Sequence, residues 1–349
     1  MKPVYQDLIK AAVIGFLLPA VLLTIVANGG KAEKNQIQAS QPPTIVSTAP
    51  IISTQPPTTL LPPTTPPPTT SQPVTLPEAE KQMISVILEG ETVEMDLENY
   101  VLGVVLAEVP SSFEPEALKA QAVAARTAAL YICESGRHQG SVCASYACCQ
   151  AYISQENYFA IGGTQERLDK VAAAVYDTAG QVMHYQGELI CAAYFSCSGG
   201  RTEDAVAVWG SDVPYLQTVE SPGEEFAAVF TDQFYFTPAE LQDKLCVSIS
   251  GNPDAWFGEV TYTDGGGVAT MEIGGVAYRG TTLRVLLGLR STAFTVTVTE
   301  DVICFETKGY GHRVGMSQYG AQAMALAGKD YAEILTHYYQ GAELSQYAQ

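Results

Sequence analysis

The sequence predicts an α+β domain over residues 79–349, held behind an apolar N-terminal segment and a proline-rich stretch. Three observations lead to this reading. Helical and strand periodicities are partly segregated along the chain, with no regular strand–helix–strand alternation. No internal repeat is visible. A sharp change of composition near residue 78 separates the part that can bury a core from the part that cannot.

Residues 11–27, AAVIGFLLPAVLLTIVA, are apolar apart from Thr24 and lie between Lys10 and Lys31. That is close to the ~20 residues a helix needs to cross a bilayer, where a proline such as Pro19 is tolerated. A cleaved signal peptide is the alternative, although its apolar region is usually ~7–15 residues and no clear small-x-small cleavage site follows here. Residues 1–31 are therefore expected to be a single-pass membrane anchor, with the bulk of the chain extracytoplasmic at the cell membrane. Residues 32–78 hold 12 of the chain's 20 prolines among Thr, Ser and Gln. Such a segment favours extended polyproline II and, at ~3.1 Å per residue, reaches on the order of 100 Å. The net charge of −19 argues against nucleic acid as partner and is compatible with a neutral substrate.

In the folded part, MISVILEGETVEMD reads as two strands joined at Glu89-Gly90. Asp96 is a good N-cap for LENYVLGVVLAE, which Pro110 ends. A second, alanine-rich helix starts at Pro115. ERLDKVAAAVYDTAG is an amphipathic helix stopped by Gly180, and QVMHYQGELICAAYFS a hairpin turning at Gln186-Gly187. Alternation around 258–263, 267–273, 293–298 and 301–306 predicts antiparallel strands. Two short helices, about 317–327 and 330–339, close the chain.

One residue does not fit the first helix as a plain core element. Leu97, Val101, Val104, Val105 and Glu108 share one helical stripe, so Glu108 sits on the buried side at the helix C-terminus. The negative end of the helix dipole and an apolar setting both disfavour its charged form and raise its pKa. A glutamate so tuned suits general-acid attack on a glycosidic bond. A partly exposed glutamate at a fraying helix end is the plainer alternative.

Three separated motifs bear on that choice: LENYVLGVVLAEVPSSFEPEALKAQAVAARTAAL, YFSCSGGRTEDAVAVWGSDVPYLQTVESP and GYGHRVGMSQYGAQAMALAGKDYAEILTHYYQGAEL. In this order they resemble the stage II sporulation protein D (SpoIID/LytB) family across residues 80–345. Its members include peptidoglycan lytic transglycosylases. The resemblance implies that Glu108 is the catalytic glutamate and Arg126 a helper on the following helix. It further implies cleavage between N-acetylmuramic acid and N-acetylglucosamine in strands stripped of stem peptides, with 1,6-anhydro products, during sporulation engulfment. It also implies cooperation with a membrane-anchored amidase and no cofactor for catalysis. As a plainer alternative, Arg126 pairs on a helix face.

The second motif contributes a glycine-rich turn, with Ser196, Ser198, Gly199 and Gly200 as candidates to bind sugar. A plain tight turn explains the same glycines. In Pro214-Tyr215-Leu216-Gln217, Tyr215 matches a family active-site tyrosine, while Gln217 replaces the family's lysine. His312, between glycines, is expected to bind sugar or to lock its loop, and Arg313, where the family commonly has glycine, to add charge near the groove.

His138, Cys143, Cys148 and Cys149 lie within HQGSVCASYACC and are the ligand types of a structural zinc site. Disulfides or free thiols are the alternatives. Some family members have a His/Cys zinc cluster in this loop, with a second histidine where Cys148 stands. Rival functions are a glycan-binding or amidase-enhancing module, a hydrolase using Cys197 or Ser198 with His312, and a lysozyme with Glu203 or Asp204 as second carboxylate.

Overall fold

The computed structural model describes residues 82–299 and 301–347, so the expected anchor and linker, 1–31 and 32–78, lie outside the described residues. Among the described residues no helix is long and apolar enough to cross a membrane.

β1 (Met83–Leu88) and β2 (Glu91–Asp96) pair antiparallel through the Glu89-Gly90 turn. The Asp96 carboxylate accepts the Asn99 N–H at 3.0 Å and caps α1 (Leu97–Glu108). α2 (Pro115–Glu134) follows, then β3 (Val142–Cys143), parallel to β1. α3 (Gln155–Ala160) and the Thr164-capped α4 (Gln165–Asp177) lead into β4 (Gln181–Tyr185) and β5 (Glu188–Leu189). The hairpin expected to run through to residue 196 is shorter than its sequence suggested. Its ladder stops at Leu189, and Tyr194–Phe195 form β6, which pairs parallel with β13 (Met316–Ser317) more than a hundred residues on. Local alternation cannot distinguish a hairpin arm from a strand whose partner is distant.

α5 (Ala205–Trp209) completes the second motif. Between it and the third motif lies a segment with its own core: β7 (Thr231–Phe236), α6 (Pro238–Leu245), β8 (Phe257–Tyr262), β9 (Val268–Ile273), β10 (Val276–Arg279), α7 (Gly280–Leu287), β11 (Phe294–Val298) and β12 (Ile303–Lys308). Two three-stranded antiparallel sheets, β10-β9-β8 and β11-β12-β7, enclose Phe236, Phe257 and Phe294 around Phe305. After β13 come α8 (Gln318–Leu326), α9 (Tyr331–Tyr338) and β14 (Glu343–Gln346), which joins β4.

The architecture is thus mixed α/β with several small sheets, mostly antiparallel. Two hydrophobic cores divide it. The first gathers α1, α2, α4, α9 and the short strands around them, and the second occupies the β7–β12 segment. Where the two meet, Arg313, 2 % exposed and at φ 67°, donates to the carbonyls of Ser198, Arg201 and Gly265 and pairs with Glu203 at 3.1 Å. Glu203 in turn accepts from Thr263 and Gly267, so one buried ion pair ties the β8–β9 turn to the second motif. The expectation that Arg313 adds charge to a groove is corrected: its charge is consumed inside the protein.

Candidate active site around Glu108

Four distant pieces of chain meet at Glu108. Its Oε1 accepts the Ala151 N–H at 2.9 Å, and its Oε2 accepts the Gln318 Nε2–H at 3.2 Å. The Tyr194 hydroxyl lies against the same carboxyl. Gly103 makes the approach of the 150–153 segment possible. A Cβ there would stand 2.3 Å from the Tyr152 ring and 2.8 Å from the Ile153 carbonyl, whose own N–H bonds to the Gly103 carbonyl at 3.1 Å. Gln150 fixes the segment from the other side, donating to the Ala125 carbonyl at 3.0 Å and accepting the Tyr100 hydroxyl at 3.1 Å. Gln318 is delivered by the Ser317 N-cap of α8, whose hydroxyl accepts the Gly320 N–H.

Burial raises the Glu108 pKa, while the hydrogen bonds from Ala151 and Gln318, and then the neighbouring Tyr194 hydroxyl, pull the other way. Burial wins. The group is a half-buried carboxyl biased toward its protonated form and held by donors on both oxygens.

The other sequence-derived candidates are placed as follows. Arg126 is fully buried and does not turn toward Glu108; it forks onto the Glu98 carboxylate and donates to the carbonyls of Gln181 and Val175. Ser198 is fully buried, and its hydroxyl donates to Glu224 at 2.7 Å. Glu224 also collects the Ser198 N–H, the Cys197 thiol and Ser221, and Ser221 meets the Tyr338 hydroxyl. Gly199 (φ 75°) packs backbone to backbone against Gly309 (φ 80°), where a Cβ on either would approach within 2.8 Å of the other strand. Gly200 donates its N–H to the Ser198 hydroxyl, and the Ser196 carbonyl accepts the Tyr319 N–H at the start of α8. This turn is built to support α8, and with it Gln318.

Tyr215 is buried, its hydroxyl accepting the Cys191 N–H at 3.0 Å and its ring against Tyr185. Gln217 donates to the Val213 carbonyl at 3.0 Å and lines an open polar depression of about 370 Å³ with Arg201, Asp204, Thr218 and Asp264. The His312 ring sits between Phe195 and Trp209. Its Nδ1 accepts the Val314 N–H at 3.1 Å, which leaves Nε2–H to donate to the Tyr194 backbone. Burial first, then the Arg284 charge, pushes its pKa down to about 4. His312 is therefore a neutral brace behind β6 and not a base, and the thiol of Cys197 is committed to Glu224, which removes the Cys/Ser–His hydrolase. Glu203 is paired with Arg313 and Asp204 caps α5, so neither supplies a second carboxylate to Glu108.

The sequence reading missed Ala151, Gln318, Tyr194 and Glu224. A backbone N–H and an amide carry no chemical signature, and Glu224 follows the second motif as an ordinary loop acid.

His138, Cys143, Cys148 and Cys149 do converge: their ligand atoms all lie within 4.8 Å of one another. The cysteines carry free thiols, and Cys148 lies 3.3 Å from His138 Nε2. A tetrahedral ion with Zn–S bonds near 2.3 Å and Zn–N near 2.0 Å needs such spacing, so the donor set fits zinc.

With this geometry in view, the motifs that build it can be compared with known proteins. The "Stage II sporulation protein" family description matches residues 89–185, from the turn before β2 through β4. Stage II sporulation protein D of Bacillus subtilis (strain 168) is 40 % identical over 257 residues, covering 72 % of this chain and 74 % of that protein. The chain belongs to the stage II sporulation protein D family. The Bacillus amyloliquefaciens protein of the same name is also 40 % identical over 257 residues. A B. subtilis protein named amidase enhancer is 29 % identical over 306 residues, which is 70 % of this chain and 40 % of that one. Family membership ties the chain to sporulation.

Proposed function

We propose that this family member is a lytic transglycosylase of peptidoglycan, with Glu108 as acid and then base. The observation that carries the reading is Glu108 itself: a carboxyl whose pKa burial raises, held on both oxygens, with no second carboxylate bonded to it among the described residues. Protonated Glu108 gives its proton to the oxygen joining N-acetylmuramic acid to N-acetylglucosamine as the bond from that oxygen to C1 breaks. The resulting carboxylate takes the proton of the same muramic residue's 6-hydroxyl, whose oxygen bonds to C1. The products are a 1,6-anhydro end and a free 4-hydroxyl, no water is consumed, and Glu108 is again protonated. Ala151 and Gln318 orient the carboxyl, and Arg126 contributes by fixing α2 against Glu98.

His138, Cys143, Cys148 and Cys149 would hold a structural zinc, which supplies no chemistry to the reaction. Its position matters because Cys149 precedes Ala151 by two residues. The apolar run at 11–27 would anchor the chain, the proline-rich stretch would let it reach the wall, and a membrane-anchored amidase would supply strands free of stem peptides. A second reading, a glycan-binding and amidase-enhancing module, is favoured by the name of the B. subtilis relative.

The test is mass spectrometry of muropeptides released from amidase-treated peptidoglycan. Wild type is expected to release 1,6-anhydro-muramic products and Glu108→Ala to lower their rate by roughly 10²–10⁴-fold without unfolding. Reducing ends would make the protein a lysozyme. Binding without cleavage by either protein would support the enhancer reading.

A further inference from the structure

We propose that Tyr194 is a positioning residue for Glu108, its hydroxyl donating to the carboxylate once Glu108 has released its proton. The inference rests on Glu108 acting as acid and base. Three observations carry it. The Tyr194 hydroxyl is buried and has no hydrogen-bond partner among the described residues, although buried polar groups are ordinarily paired. It lies against Glu108, and each group perturbs the other's ionisation. Its backbone is held on every side: Met316 pairs with Tyr194 across β6 and β13, the Tyr339 hydroxyl donates to the Ala193 carbonyl at 2.9 Å, and His312 braces Tyr194 from behind.

The acceptor count at Glu108 explains why such a hydroxyl is left idle. Ala151 and Gln318 each occupy one carboxyl oxygen. A protonated carboxyl has one oxygen committed to its own O–H, whereas a carboxylate gains a free lone pair. The ionised state, with an additional lone pair and a full negative charge, is the one that draws in a third donor. Burial and the nearby Glu108 charge push the Tyr194 pKa well above its usual value, so the phenol stays neutral, donates, and does not compete for the proton.

The test compares full-length wild type with Tyr194→Phe, which keeps the ring. The rate of anhydro-muramic release is followed against pH. The reaction starts from protonated Glu108, so its alkaline limb reports that group's pKa. Loss of a donor to the ionised form is expected to move the limb up by about one pH unit and to lower the maximal rate about tenfold. An unmoved limb overturns the proposal, because a merely structural tyrosine would lower the rate without shifting it. Glu108 is also titrated directly by carboxyl ¹³C resonance, assigned through its loss in Glu108→Gln. If wild type releases no anhydro product, the transglycosylase reading fails on its own. A higher Glu108 pKa in Tyr194→Phe would still support the contact, and identical titrations would remove it.

Discussion

The two cores differ in what they bury. Among the described residues, the buried charges Arg126, Glu203, Glu224 and Arg313 all lie outside residues 230–309. Inside that range the buried polar groups are the hydroxyls of Ser291, Thr292 and Thr307, and the core is aliphatic and aromatic around Phe305. Buried charge stabilises little when compared with apolar packing and is costly to leave unpaired. A region that retains it in quantity is held to a particular geometry. Here the geometry is that of Glu108: Glu224 shapes the turn under α8, Arg126 locks α2 to α1, and Arg313 joins the cores. The β7–β12 segment has the simpler task of folding.

Breaking each core at its centre should therefore give different signatures. Phe305→Ala removes the hub of the aromatic cluster and is expected to cost ~3–5 kcal/mol. Arg126→Ala leaves the Glu98 carboxylate uncompensated and should cost a similar ~3–5 kcal/mol. Denaturant unfolding followed alongside anhydro-product release separates them: the folded fraction of Phe305→Ala keeps its specific activity, while that of Arg126→Ala loses part of it. Equal losses in both would mean that the cores do not divide the labour.

A smaller effect should come from Gly103→Ala, which drives a methyl into the Tyr152 ring and the Ile153 carbonyl. The expected cost is ~1–3 kcal/mol, together with slower cleavage as Ala151 withdraws from Glu108. Chelation would act on the same segment through the other end. One zinc per chain is expected by metal analysis, and its removal should lower the thermal midpoint by about 2–4 °C; a metal-free native protein of unchanged midpoint would dispose of the site.

The mildest test is pH. The folded Glu108 pKa is raised above its ordinary 4.5, so the native state binds the proton more tightly than the unfolded chain. Its contribution to stability is full below 4.5 and is lost as pH rises through the folded value. Glu108→Gln should match wild type in acid and exceed its stability above that window, as measured by denaturant midpoints across pH. A variant that tracks wild type throughout would mean that Glu108 is not buried at a cost.

Much of the local structure was legible in the sequence because its signals are local. Asp96, Pro110 and Pro115 bracket the first two helices, and the stripe Leu97-Val101-Val104-Val105 turns Glu108 inward. Four strands of the second core, β8, β9, β11 and β12, and the last two helices were likewise visible as periodicity. Less visible were β7, β10, α6 and α7, elements of eight residues or fewer whose apolar residues pack against strands distant in sequence. The site itself needed tertiary structure. Arg126 was drawn to Glu108 by resemblance, but an arginine pairs with whichever carboxylate the packing brings, and here that is Glu98. Ser198 and His312 are chemically able groups and Tyr215 matches a family tyrosine, yet each spends hydrogen bonds on protein. The sequence determined which residue types were available and on which helix face Glu108 would lie. Only the fold decided that a backbone amide, a glutamine and an idle tyrosine would surround it, because those contacts join residues 43, 210 and 86 positions away, and no local pattern encodes a meeting over that distance.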